Sequence, residues 1–180
     1  FPYTTLFRSY SIIAVMITFL APEIVKLFAT SDYYEAIYIM PPIAAGIYLT
    51  SVSNMYSNIL VYRKKSSYIM YASIIAATTN IFLNYICIPK FGYMAAAYTT
   101  LVAHSILAFM QIYYVRRTEK RPNAIYQDHY ILLVSVITIL CAMIGIPLYR
   151  FMLLRYLVIL FGTLLGCYMA YRTFKMMKNR

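Results

Sequence analysis

Residues 63–117 read RKKSSYIMYASIIAATTNIFLNYICIPKFGYMAAAYTTLVAHSILAFMQIYYVRR. Two apolar runs stand between Arg63-Lys64-Lys65 and Arg116-Arg117, and Lys90 alone lies between the two runs. A bilayer crossing takes about 20 apolar residues. Two crossings between two basic clusters return the chain to the side it left. Lys and Arg concentrate on the cytoplasmic side of a polytopic membrane protein, so the stretch reads as an out-and-back helical hairpin.

The pattern continues in both directions. Six segments are long and apolar enough to span: Tyr10–Phe28, Tyr34–Tyr62, Tyr68–Ile88, Tyr93–Val115, Tyr130–Tyr149 and Phe151–Tyr171. The expected fold is all-α, a polytopic bundle of about six spans. Ser31-Asp32 resembles an N-cap for the second helix. Pro41-Pro42 is expected to kink that helix in its middle. Pro89 is expected to end the third, with Lys90-Phe91-Gly92 as a tight turn. The extended polar linker is Thr118–Asp128.

Composition agrees. The chain of 180 residues is 63% hydrophobic and only 12% charged, with mean hydropathy +0.68. A soluble domain carries about twice that share of charge. The net charge of +11 does not point to nucleic acid, because the basic residues sit in short loops where anionic lipid attracts them. Cys87, Cys141 and Cys167 all lie inside apolar runs, at spacings that suit neither a metal site nor a disulfide framework. Trp is absent and Tyr numbers 21, so Tyr must furnish the aromatic belt at the membrane surfaces.

Phe1–Ser9 reads FPYTTLFRS, which resembles a translated sequencing adapter over all nine residues. Native sequence is accordingly expected to start at Tyr10 and to have lost an upstream part.

No constellation supports catalysis, and no cofactor or metal is expected. The acids are Glu23, Asp32, Glu35, Glu119 and Asp128, and neither His104 nor His129 has an acidic partner at motif spacing. Asp32 and Glu35 start a helix, where its dipole favours them. Polar stripes inside the spans are more informative. Ser51, Asn54 and Asn58 share one helical face. So do Ser73, Ala77, Asn80 and Asn84, and likewise Thr100, His104, Ala108 and Gln111. Such side chains face other helices or a water-filled cavity. Either interhelical hydrogen bonding or a hydrophilic cavity for a polar cargo explains them. Gly162 and Gly166 form a GxxxG match, read as close helix packing rather than dimerisation. Arg155 is expected to snorkel to the outer interface.

Three stretches carry a family resemblance. Leu20-Ala-Pro-Glu-Ile-Val-Lys-Leu-Phe28 with Ser31-Asp-Tyr-Tyr-Glu-Ala36 is the first. Asn54–Lys65, a helix end with a basic turn, is the second. Asn80-Ile-Phe-Leu-Asn84, Ile88-Pro-Lys-Phe-Gly92 and Ala95-Ala-Ala97 form the third. In this order they resemble the C-terminal part of the polysaccharide flippases, within the multidrug/oligosaccharidyl-lipid/polysaccharide exporter superfamily. One departure is Ala95, where the family usually has glycine. The resemblance covers about Leu20–Val115. It implies flipping of an undecaprenyl-diphosphate-linked oligosaccharide for lipopolysaccharide, capsule or exopolysaccharide assembly in a bacterial inner membrane. Implied partners are that lipid-linked oligosaccharide, membrane lipids and the polysaccharide assembly machinery, with no nucleic acid. The implied cargo contacts are Lys26 for the diphosphate and Asn54, Asn58, Asn80, Asn84 and His104 for the sugars. A cation-coupled multidrug antiporter or a membrane enzyme of polysaccharide assembly are the alternatives.

The loops fix the expected orientation. With the turn after the second span in the cytoplasm, eleven Lys/Arg fall on that side; Lys26, Lys90, Arg150 and Arg155 fall on the other. Single cysteines placed at 63–65, 116–121 or 172–180 should therefore resist a membrane-impermeant thiol reagent in intact cells. Labelling of the 116–121 loop from outside would reverse the orientation.

Overall fold

The structure is a computed structural model that describes residues 2–118 and 128–178. The linker 119–127, with Glu119, Lys120 and Arg121, lies outside them, as do Arg180 and the side chains of Asp128, Arg172, Lys175 and Lys178. Six α-helices follow one another: α1 Pro2–Phe28, α2 Met40–Tyr62, α3 Ser66–Phe91, α4 Ala95–Thr118, α5 Asp128–Leu148 and α6 Met152–Lys178. A 3-10 helix, Ser31–Tyr38, stands between α1 and α2. The described residues hold no strand. A helix satisfies its own backbone, and inside hydrocarbon no water can do so.

Four helices are long and apolar enough to span, and the 3-10 helix with α2 makes a fifth, bent by 52°. About six spans were expected, and α6 is the sixth helix of the bundle, apolar over Met152–Tyr168 within the described side chains. Its 27 residues reach about 40 Å at 1.5 Å per residue, against a core about 30 Å thick.

The bend in the second span is real, but its cause is not a mid-helix proline pair. Pro41 and Pro42 occupy the first positions of α2, where a missing N–H costs nothing and the fixed φ suits the helix. The break falls just before them, at Ile39. Ser31-Asp32 is not an N-cap either: Thr30 holds that position and makes no side-chain cap bond. Pro89 lies inside α3, which runs on to Phe91 and stops at Gly92, φ +74°. Glycine takes that left-handed conformation without a Cβ penalty. The other sharp turn uses a residue less suited to it. Lys64 has φ 56°, and the Lys65 and Lys64 N–H groups reach back to the carbonyls of Leu60 (2.8 Å) and Val61 (2.9 Å). This is a Schellman ending with lysine where glycine is usual.

α2 is the axle of the bundle. Tyr48, Val52, Tyr56 and Leu60 are buried in it, packed with Phe7 of α1, Ile112 and Val115 of α4 and Ile131 of α5. Its start is small, Ala44-Ala45-Gly46. A Cβ on Gly46 would stand 3.2 Å from His104 Cδ2 and 3.9 Å from the Leu101 Cα. Small residues of this kind let membrane helices approach closely. α3 buries only Ala72 and Ala76 within its run and rests mainly on α4. Gly162 and Gly166 face Met16 and Ile12 of α1, so the GxxxG stripe serves packing within the chain. Cys87, Cys141 and Cys167 are free thiols.

Successive helices alternate in direction. Tyr68 stacks on Tyr114 with ring centroids 4.7 Å apart, which brings the Arg63–Lys65 turn and Arg116-Arg117 to one end of the bundle. At the other end Tyr38 meets Tyr149, 6.3 Å between centroids, and the Tyr93 hydroxyl donates to Glu35 Oε2 at 3.1 Å. That bond favours the protonated phenol and holds Tyr93 above its usual pKa. The Tyr149 hydroxyl donates to the Thr18 carbonyl at 2.9 Å, and burial raises its pKa in turn.

The tightest helix approach gives a test. A Cβ on Gly145 would stand 2.7 Å from Thr18 Cγ2, closer than real contacts allow. Gly145→Ala should destabilise the bundle by about 1–3 kcal/mol. Thr18→Ser removes that methyl and keeps the hydroxyl, so it should restore most of the loss when added to Gly145→Ala. Thermal unfolding in detergent, followed by circular dichroism, measures both.

Candidate functional site

The sequence-predicted residues fall into three groups. Lys26 is exposed in the last turn of α1, where a cation suits the helix C-terminus. Asn54 and Asn58 are exposed on α2. Asn80, Asn84 and His104 are half-buried and take part in side-chain networks.

Two of these networks lie against α4. Between α3 and α4, Asn84 Nδ2 donates to Asn80 Oδ1 at 3.3 Å, and the Thr99 hydroxyl bonds to Asn84 Oδ1. Between α2 and α4, Thr50 Oγ1 meets His104 Nδ1 at 2.9 Å, and the Ser57 hydroxyl donates to Gln111 Oε1 at 2.6 Å. Both members of the second pair stand seven residues beyond those of the first, in the same direction. α2 and α4 are therefore parallel and in register over two turns. The seam between them is polar at both rungs. Midway, Ser53 is buried with its hydroxyl unpartnered.

Hydrogen counting orients the imidazole. Thr50 also bonds the Gly46 carbonyl at 3.1 Å, and a hydroxyl has one hydrogen. Both contacts are satisfied when Thr50 donates to Gly46 and His104 donates from Nδ1 to Thr50. The neutral ring then keeps its Nε2 lone pair as an acceptor. The same count applies at Tyr48. Ser135 donates to the Ile131 carbonyl at 2.7 Å, so Tyr48 donates to Ser135, 3.1 Å away.

The polar stripes thus divide. His104, Asn80 and Asn84 are tied to neighbours, and Gln111 with them, while Asn54 and Asn58 stay open. Thr50, Ser57 and Thr99 are the partners the stripes did not include. The i, i+7 spacing of Thr50 and Ser57 was the available signal.

A charged cluster lies apart from the asparagines. Arg155, in the first turn of α6, is 5% exposed and forms an ion pair with Glu23 of α1. The Tyr156 hydroxyl donates to the same carboxylate oxygen at 3.0 Å. Glu23 Oε2 and Arg155 Nε are buried and make no hydrogen bond. This corrects the expectation that Arg155 snorkels outward. Its side chain faces α1, where a lone charge in low dielectric would be far costlier than a pair. Each is an isolated charge of opposite sign inside an apolar run, and such charges pair with one another; that signal was in the sequence. The described residues hold no group of three or more metal-ligating side chains.

Breaking the pair should be worse than deleting it. Arg155→Met strands Glu23 and should cost about 3 kcal/mol, the low end of the range because Glu23 is partly open. Glu23→Gln combined with Arg155→Met should recover at least half. Equal losses in the single and double variants, measured by urea or thermal unfolding in detergent, would contradict a coupled pair.

Residues 4–86 match the MatE family. No curated protein and no solved structure matches the chain. The matched stretch covers α1, α2 and most of α3, so it includes Glu23, the α2 rungs and both α3 asparagines. Members of this family are transporters, not enzymes. With its bundle of spanning helices, the chain is a multi-pass membrane protein whose residues 4–86 are similar to the MatE family, which is part of the multidrug/oligosaccharidyl-lipid/polysaccharide exporter superfamily.

Proposed function

We propose that the chain is the C-terminal bundle of a lipid-linked oligosaccharide flippase of the bacterial inner membrane, with its C-terminus in the cytoplasm. The MatE match supports export across a membrane. The sequence resemblance supports the oligosaccharide cargo. In this reading the bundle rocks against a second one, and the cargo passes between them.

The state of Glu23 carries the choice against a cation-coupled antiporter. Among the described side chains it is the one acid within an α-helix, and Arg155 neutralises it. A coupling site needs a carboxylate that can change its charge or bind a cation. Uncharged donors and acceptors are plentiful by contrast, at Asn54, Asn58, Asn80, Asn84 and His104. Neutral amides and imidazole suit sugar hydroxyls. Lys26, exposed at the end of α1, suits a diphosphate.

The bonding of these residues decides which substitutions test the cargo role cleanly. Asn54→Leu and Asn58→Leu leave no internal bond unmade, so the protein should stay folded while export falls. Asn84→Leu and His104→Leu strand partners on α4 and α2, and should cost about 0.5–2 kcal/mol each. The measurement is surface polysaccharide per folded molecule in a flippase-null strain complemented by the full-length transporter. Unchanged export per molecule in both Asn54→Leu and Asn58→Leu would sink the cargo role of that face. Restored drug resistance without restored polysaccharide would favour the antiporter.

A further inference from the structure

We infer that the wedge between α1, α5 and α6 is a phospholipid site, with one acyl chain in the wedge and an anionic headgroup at Arg150. The reading is independent of the cargo proposed above. α5 and α6 each pack along α1 but barely touch one another. A cavity of 390 Å³ remains between them. Val15 and Phe19 of α1, Ile137 and Cys141 of α5, and Ile159 and Phe161 of α6 are among its walls.

The wall offers a ligand no hydroxyl hydrogen. Ser11 donates to the Phe7 carbonyl at 3.0 Å and Thr138 to the Val134 carbonyl at 2.7 Å. Apolar cavities of roughly 150 Å³ already stay dry and admit apolar guests. This one lies in the middle of two spanning helices and opens between α5 and α6, where the surrounding medium is hydrocarbon. An acyl chain is the guest at hand.

Charge selects the headgroup. About 9 Å of helix separates Met152 from Val158 at the upper end of the wedge. Arg150 stands just beyond, exposed on the turn between α5 and α6. It lines a second recess of 890 Å³ with Phe151, Met152 and Tyr156. Arg155 and Glu23 cancel one another one turn below, and Lys26, Lys90 and Arg150 outnumber Asp32 and Glu35, which leaves that end with a charge of +1. A phosphate at the recess and a chain down the wedge match the length and polarity of one phospholipid. An anionic lipid complements the charge better than a zwitterionic one.

The absence of Trp from the chain makes the test direct. Phe161→Trp puts a single fluorophore in the wedge wall, and Phe109→Trp puts one on α4; the two phenylalanines are 69% and 68% exposed. Each variant is reconstituted in phosphatidylcholine vesicles. Small fractions of phosphatidylglycerol or phosphatidylcholine with brominated chains are then added. At F161W, brominated phosphatidylglycerol should quench about fivefold more strongly per mole fraction, the preference one Arg gives an anionic lipid. F109W should show no preference, and Arg150→Gln should abolish the one at F161W. Leu165→Trp, also on the wedge, provides a second reporter should F161W fold poorly. Equal quenching by the two lipids at both wedge reporters, or a preference that survives Arg150→Gln, would overturn the assignment.

Discussion

In hydrocarbon a polar group has no water to fall back on, and this bundle is arranged around that fact. The hydroxyls of Ser11, Thr18, Thr50, Thr79, Ser105 and Thr138 turn back to carbonyls four residues earlier in their own helices. This local solution needs no neighbour and leaves the outer helix face apolar. Side chains too long for it must pair between helices, and the pairs then dictate which helices touch. Thr50 with His104 and Ser57 with Gln111 set α2 beside α4 in parallel register. Arg155 with Glu23 sets α6 against α1. Packing of Tyr48, Val52 and Tyr56 fills the space these pairs define.

The two kinds of pairing differ in what they tolerate. The rungs between α2 and α4 are neutral and short, so losing one costs a hydrogen bond. The Glu23–Arg155 pair is charged, and losing one member exposes the whole desolvation cost of the other. Specificity of helix arrangement is therefore concentrated at α1 and α6, while the seam along α2 is forgiving. A transporter that must open along one surface and stay closed along another has use for this asymmetry.

Much of this was legible in the residues. Helix existence followed from the length of the apolar runs, and the alternating direction followed from the spacing of basic clusters. The GxxxG stripe was read for what it is. Three local readings failed for one reason: a proline or a cap signal shows that a helix is interrupted, but not on which side. Pro41-Pro42 opens a helix instead of breaking one, Pro89 is carried inside α3, and Ser31-Asp32 leads into a 3-10 segment instead of capping an α-helix. Helical periodicity put Asn80, Asn84 and His104 on polar faces. It could not reveal that Thr99 and Thr50 would claim them, since those contacts join residues on different helices. The Arg155–Glu23 pair is the extreme case, 132 positions apart in the chain.

The 3-10 helix carries a mechanical consequence. It runs for eight residues, unusually long for this conformation. At about 2.0 Å per residue it reaches roughly 16 Å, against about 12 Å for the same residues wound as α-helix. It has no buried residue, so rewinding it would disturb chiefly the Tyr38–Tyr149 contact and the Tyr93–Glu35 hydrogen bond. The connection between α1 and α2 is thus an extensible coupling with about 4 Å of travel. Taking up that slack would draw the start of the central helix towards α1 without breaking the chain of hydrogen bonds on either side.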